Sequence, residues 1–269
     1  MKISIIGGGT MGEAILSALL KKRLVLPENV MVKEVIESRR EHLAKMHGIG
    51  VTSSGTEAVR LADIIILAVK PQTLPEVLTE LSGQIENKQL VISIMAGVKI
   101  DTLRDGLRHD RIVRSMPNTP AQIGKGMTIW TATGDVTDLQ KKSARNILGV
   151  MGEEIYVDDE RMIDMATAVS GSGPAYFFLF LEALIDAAVS VGLPPDMAKR
   201  MTLQTMLGAG LLVEKSGTDP AELRRMVTSP GGTTAEALRV FEERKFNAVV
   251  AEAVNAAYKK ARILGGERV

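Results

Sequence analysis

The sequence predicts an α/β fold: a Rossmann-like, doubly wound and mainly parallel sheet at the N-terminus, followed by an all-helical C-terminal domain. Three observations carry this expectation. Lys2–Gly12 joins an apolar run to a glycine cluster and then to a helical pattern; strand-like and helix-like stretches alternate from there to Asp158; and no strand-like run occurs beyond it. Alternating βα units of this length require a parallel sheet with helices on both faces. The division is expected between residues 158 and 159, giving domains 1–158 and 159–269.

Composition bounds the function. The 269 residues are 45% hydrophobic, enough to build a proper core, and the net charge is +1 with both signs interspersed. No concentrated basic patch marks a nucleic-acid or membrane surface, so the expected ligand is small. The chain has no cysteine, which excludes disulfides, thiolate zinc sites and cysteine nucleophiles and fits a reducing cytoplasm. No metal site is expected. Met1 leads straight into a strand with no signal-peptide pattern, so a cytoplasmic location is expected.

Lys2–Ile6 is rich in β-branched residues and reads as a buried strand, while Met11, Ile15 and Leu19 recur on one helix face. Gly7, Gly9 and Gly12 between them stand in G-x-G-x-x-G register. Such a turn bends at the first glycine, lets the backbone approach a pyrophosphate at the second and packs helix against strand at the third. Gly7, Gly9, Thr10, Met11 and Gly12 are therefore candidate dinucleotide contacts. Val30–Val35 reads as the next strand and Ile36–His47 as a helix closed by Gly48. Helix Thr56–Ala62, strand Asp63–Val69, a helix to about Leu81 and strand Leu90–Met95 follow. A short helix from Asp101 and strand Arg111–Met116 come next, with Met127–Thr133 and Glu153–Val157 as closing strands around helix Thr137–Met151.

The second domain is expected to hold helices Arg161–Val169, Pro174–Val191, Pro195–Lys215, Pro220–Thr228, Thr233–Glu243 and Phe246–Leu264. Tyr176, Phe177, Phe178 and Phe180 crowd one stretch of the second helix, more than one face can bury. Ala175–Val191 is short for a membrane span of ~20 residues and carries Glu182 and Asp186, so a buried helix is expected. A second copy of the chain is the expected cover, giving a homodimer made by the helical domains.

In an open parallel sheet, ligands bind at the carboxyl ends of the strands. Glu34 ends the second strand, 22 residues after Gly12, where an acid accepts hydrogen bonds from the adenosine ribose and favours NADH. Lys33, Arg39 and Arg40 beside it would instead pair with a 2′-phosphate and favour NADPH, and the sequence supports both readings. Ala68, Val69, Lys70 and Pro71 end one strand, Ala96 and Gly97 another, and Asn118 sits in the abrupt Pro117–Pro120 end of a third; all are candidate cofactor contacts. For Lys70 the main chain is as good a candidate as the amine.

Two segments of the helical domain are candidates for substrate. Ser170–Ala175 interrupts a helical region, with Ser172 suited to a cap and Pro174 to the first helical position, which makes Ser172 and Gly173 candidates. Thr228–Thr234 opens a helix on two glycines and two threonines, whose bare amides suit a small carboxylate. A substrate pocket between the domains is expected. His42, His47 and His109 all lie in the first domain, away from the expected strand ends, so no histidine or cysteine remains for the second domain to contribute. A ketone reductase normally needs a proton donor, whereas a protonated imine carries its own activation. A carbon–nitrogen double bond is thus the favoured acceptor.

On these residues the sequence resembles the pyrroline-5-carboxylate reductases. The likeness runs through Gly7–Gly12, Ala68–Pro71, Met116–Pro120, Gly171–Ala175 and above all Met226–Leu238. The resemblance implies reduction of a cyclic imine to proline with NADPH or NADH, a homodimer formed by the helical domain and rings of such dimers. It implies a carboxylate held by Ser229, Gly231, Gly232 and Thr233, and the Thr234 hydroxyl beside the ring nitrogen. Many members carry a neutral residue where this chain has Glu34. Rival readings are a β-hydroxyacid dehydrogenase, for which Lys199 or Lys215 would have to serve, another dinucleotide reductase, and a non-catalytic dinucleotide sensor.

Overall fold

The computed structural model describes residues 1–267; residues 268 and 269 of the expected second domain lie outside it. Along the chain the elements are β1 (Ile3–Ile6), α1 (Thr10–Lys21), β2 (Val30–Lys33), α2 (Glu37–His47), β3 (Gly50–Thr52), α3 (Gly55–Val59) and β4 (Ile64–Leu67). Then come α4 (Leu74–Leu81), β5 (Leu90–Ser93), α5 (Ile100–Leu107), β6 (Ile112–Met116), β7 (Gly126–Ala132), α6 (Asp138–Gly149) and β8 (Gly152–Tyr156). The helices α7 (Arg161–Ala166), α8 (Gly173–Ser190), α9 (Pro195–Ser216), α10 (Pro220–Met226), α11 (Thr233–Glu243) and α12 (Phe246–Leu264) complete the described chain.

The eight strands form one sheet in the order β3-β2-β1-β4-β5-β6-β7-β8. All neighbours are parallel except β6 and β7, which run antiparallel. Every residue of β1, β4 and β5 is buried, as a sheet covered on both faces requires. Alternation along these strands sorts the core into two layers. Ile3, Ile5, Ile64 and Ile66 pack with Ile15, Leu16 and Leu19 of α1. Ile6, Ile65 and Leu67 face the other way, onto Val77 and Leu81 of α4 and Leu103 and Leu107 of α5.

The chain divides into two compact units. One comprises Met1–Ser172 with the chain from Ala257 onward, and the other Gly173–Ala256. Strands cease before Asp158, but α7 packs with the sheet unit because a buried ion network holds it. Arg114 of β6 is 1% exposed and pairs with Glu160 at 2.8 Å and Asp164 at 2.6 Å. Glu160 also accepts the backbone N–H of Ile100 at the start of α5, 2.9 Å away.

The helical break expected at Ser170–Ala175 is absent. A π-helical turn over Thr167–Gly171 carries α7 onward, and Ser172 is its C-cap, in helical geometry with its N–H donating to the Thr167 carbonyl at 2.8 Å, immediately before α8. Pro174 has no N–H to give the Ser170 carbonyl. The Asn118 side chain supplies it instead, at 3.0 Å, and accepts from Met127 N–H with its own oxygen.

In the second unit little is shielded. Across α8 to α11 only Gly173, Ala198 and Thr202 are buried among the described residues. Phe177, Phe178 and Leu179 of α8 are each 60–67% exposed. The helical run Arg161–Ser190 is long and apolar enough to cross a membrane, and 11% of its most apolar window is buried within the chain.

Candidate functional site

The order of strands turns back between β1 and β4, and the segments that follow these strands meet at their carboxyl ends. Gly7 has φ +109, and a side chain there would meet the Ala68 carbonyl oxygen at 2.8 Å. At Gly12 an added Cβ would lie 2.0 Å from the Gly7 carbonyl oxygen, so only glycine lets α1 start this close to the turn. Gly9 differs: a Cβ there meets nothing within 4 Å. It caps α1 without any side-chain hydrogen bond, which leaves the first-turn amides of Thr10, Met11 and Gly12 uncapped beside open space. A backbone cradle of this kind fits a pyrophosphate.

Glu34 stands just past β2, half-buried. One carboxylate oxygen accepts the Gly8 N–H and the other the Ile36 N–H, both at 3.0 Å. The neighbouring cations are engaged elsewhere. Lys33 pairs with Glu80 at 3.5 Å, Arg39 donates to the Gly8 carbonyl at 2.8 Å and to Glu13 at 2.5 Å, and Arg40 donates to the Glu34 and Val35 carbonyls. Glu13 in turn collects His47 at 3.0 Å and His42 at 3.4 Å. Partial burial pushes the Glu13 carboxyl up, but hydrogen bonds from His47 and Arg39 outweigh this and hold it below its usual range. His109 is buried against the Gln89 carbonyl, and its desolvation depresses the imidazole pKa.

After β4, Lys70 is exposed and begins a 3-10 turn over Pro71–Thr73. Its carbonyl accepts both the N–H and the hydroxyl of Thr73, at 3.0 and 2.9 Å. After β5, Gly97 has φ +71, and a Cβ there would stand 2.7 Å from the Leu264 Cβ. The end of α12 therefore packs on this loop. Lys99 and Arg262 both grip Glu267, each at 2.7 Å, and their hydrogen bonds drop its carboxyl to about 2. Neither this clamp nor the Arg114 network was read from the sequence. A charged residue inside the strand Ile112–Met116 was the signal for the second, since a buried arginine demands acidic partners.

In the second unit, Gly231 has φ +70 and Gly232 caps α11 with no side-chain hydrogen bond. A Cβ on Gly232 would sit 2.8 Å from the Ser229 hydroxyl oxygen. The Gly232 N–H donates to the Ser229 carbonyl at 3.1 Å, folding Ser229–Gly232 into a tight turn. The Thr233 and Thr234 amides and hydroxyls thus open the helix with no side-chain cap above them, an arrangement suited to a carboxylate. Gly7, Gly9, Thr10, Met11, Gly12, Glu34, Ala68–Pro71, Ala96 and Gly97 thus gather at neighbouring strand ends of the sheet unit. The side chain of Asn118 is committed to Ser170 and Met127, and its carbonyl accepts the Ala121 N–H at 3.1 Å.

Residues 160–264 match the family model described as pyrroline-5-carboxylate reductase dimerisation, which assigns self-association to this region. Residues 2–97 match that of NADP oxidoreductase coenzyme F420-dependent. The chain is 42% identical to the pyrroline-5-carboxylate reductase of Synechocystis over 265 residues, covering 98% of both. That of Escherichia coli is 42% identical over 264 residues, again with 98% of both chains covered. The structure of a pyrroline-5-carboxylate reductase from Coxiella burnetii superposes with a TM-score of 0.91 at 36% identity, covering 98% of both chains. One from Plasmodium falciparum, with NADP bound, gives 0.89 at 34% identity and the same coverage. With 98% of its length aligned to relatives 42% identical to it, the chain belongs to the pyrroline-5-carboxylate reductase family.

Proposed function

We infer that the protein reduces 1-pyrroline-5-carboxylate to L-proline with NAD(P)H, the last step of proline biosynthesis. What carries the reading, beside the family, is the pair of uncapped glycine starts at Gly9 and Gly232, one suited to a pyrophosphate and the other to a carboxylate. Bound nicotinamide supplies a hydride to C5 of the ring imine, and with one proton on nitrogen this gives the saturated ring and NAD(P)+.

The chain's own residues position and exclude water. The amides of Thr10, Met11 and Gly12 hold the pyrophosphate, with Gly7 and Gly9 shaping the turn and Glu34 at the ribose. Ala68, Val69, Lys70, Pro71, Ala96, Gly97 and Asn118 line the cofactor with their main chains. Ser229, Gly231, Gly232 and Thr233 fix the substrate carboxylate, supported by Ser172 and Gly173. The Thr234 hydroxyl accepts from the protonated ring nitrogen and so holds the iminium form. His42 and His47 are spent on Glu13 and His109 is buried, in keeping with a reaction whose substrate arrives already protonated.

The proposal includes a homodimer through the helical region, assembled further into a ring of dimers, and a cytoplasmic enzyme with neither a membrane nor a nucleic-acid partner. The uncovered apolar faces of α8 and α9 support a second copy as their cover. The direct test follows nucleotide oxidation at 340 nm by purified protein given pyrroline-5-carboxylate, with proline as the product identified. Folded protein that binds dinucleotide yet turns over with neither NADH nor NADPH would sink the assignment.

A further inference from the structure

The arrangement around Glu34 bears on which nucleotide the enzyme takes. A 2′-phosphate brings about two negative charges and needs a cation or free backbone donors to meet it. The nearby cations already make other contacts. Lys33 reaches away to Glu80, Arg39 is fixed between Glu13 and the Gly8 carbonyl, and Arg40 is turned onto the Glu34 and Val35 carbonyls. The amides of Gly8 and Ile36 both donate to the Glu34 carboxylate. The first turn of α2 carries a further acid, Glu37. A fixed carboxylate with remaining lone pairs is instead a good acceptor for ribose hydroxyls.

We propose that Glu34 makes the enzyme prefer NADH, accepting from the ribose hydroxyls and repelling a 2′-phosphate beside Gly8. The inference rests on the cofactor role given above. Because like charges brought together cost several kcal/mol, the preference should reach at least about tenfold in dissociation constant. Arg39 and Arg40 act here as supports of the turn and not as phosphate ligands.

Calorimetric titration of the full-length protein with NADH, NADPH, 5′-AMP and adenosine 2′,5′-bisphosphate reads the preference without catalysis. NADH and 5′-AMP should bind at least about tenfold tighter than their 2′-phosphorylated counterparts. In Glu34→Ser the ratio should swing toward NADPH by about tenfold or more, through weaker NADH and tighter NADPH. Glu34→Gln, which keeps the side-chain shape, gives the same direction with a smaller swing and serves if the serine variant folds poorly. NADPH binding as tightly as NADH to the wild type, or an unchanged ratio in a folded Glu34 variant, would overturn the proposal. Discrimination in binding without turnover of pyrroline-5-carboxylate would sustain it while removing the reaction assigned above.

Discussion

Glycines of one motif fail for different reasons when replaced, and the difference separates binding from folding. A valine at Gly9 projects into open space, so Gly9→Val should keep its circular dichroism and melting temperature while losing at least about a hundredfold in nucleotide affinity. Gly12→Val would drive its Cβ into the Gly7 carbonyl and should give little soluble protein. Binding by Gly9→Val equal to wild type would show that the pyrophosphate lies elsewhere. Thr234→Ala should lower kcat by about ten- to a hundredfold with the NADH dissociation constant unchanged, measured by steady-state kinetics beside titration. Normal turnover would remove Thr234 from the ring nitrogen. The spacing of Gly7, Gly9 and Gly12 was legible because local backbone geometry demands Gly7 and Gly12, and Gly9 completes the G-x-G-x-x-G register between them. The π turn before Ser172 was not legible, because the carbonyl that Pro174 leaves unpaired is satisfied by Asn118, a residue 52 positions from Ser170 and invisible to local rules.

Among the elements, the central apolar strands declared themselves, since β1, β4 and β5 are buried on both faces and admit almost nothing polar. β3 did not, being three residues at the sheet edge and only partly buried, where no apolar run is required. The attachment of α7 depends on Arg114, whose removal would strand the buried Asp164 carboxylate. Arg114→Met should cost about 3–5 kcal/mol, seen as a melting temperature lower by roughly 6–15 °C. A shift within a degree would mean that the network contributes nothing. The clamp at the end of α12 is titratable. The Glu267 carboxyl falls from 4.5 to about 2 in the folded chain. A depressed acid contributes stability that is complete above its unfolded pKa, so this clamp is whole at neutral pH and is lost as pH falls from about 4.5 through about 2. Hydrogen exchange at the Gly97 loop should rise in that window, and in Glu267→Gln it should be raised already at pH 7. Equal protection in the two proteins would show that Leu264 packing alone holds the helix end.

At the scale of the whole molecule, the two units are stabilised by different means. The sheet unit buries two apolar layers of its own, whereas α8 to α11 leave Phe177, Phe178, Leu179, Leu207 and Leu211 open. A soluble chain rarely shows so large an apolar surface without a partner. Light scattering at micromolar concentration should give an even multiple of 29.0 kDa, and a stable monomer would contradict the proposed dimer. The need for a partner was legible from the crowding at Tyr176–Phe180; which faces stay bare was not, because that depends on how helices far apart in sequence pack. The arrangement of Trp130 adds a practical consequence. It is the chain's single tryptophan, wholly buried in β7, with its indole N–H on Glu154 and Tyr156 edge-on at 4.8 Å. Its emission therefore reports on the sheet unit alone, whereas ellipticity at 222 nm sums the helices of both units. Followed together during dilution or heating, the two optical signals would tell whether the assembly comes apart as one body or loses its helical half first.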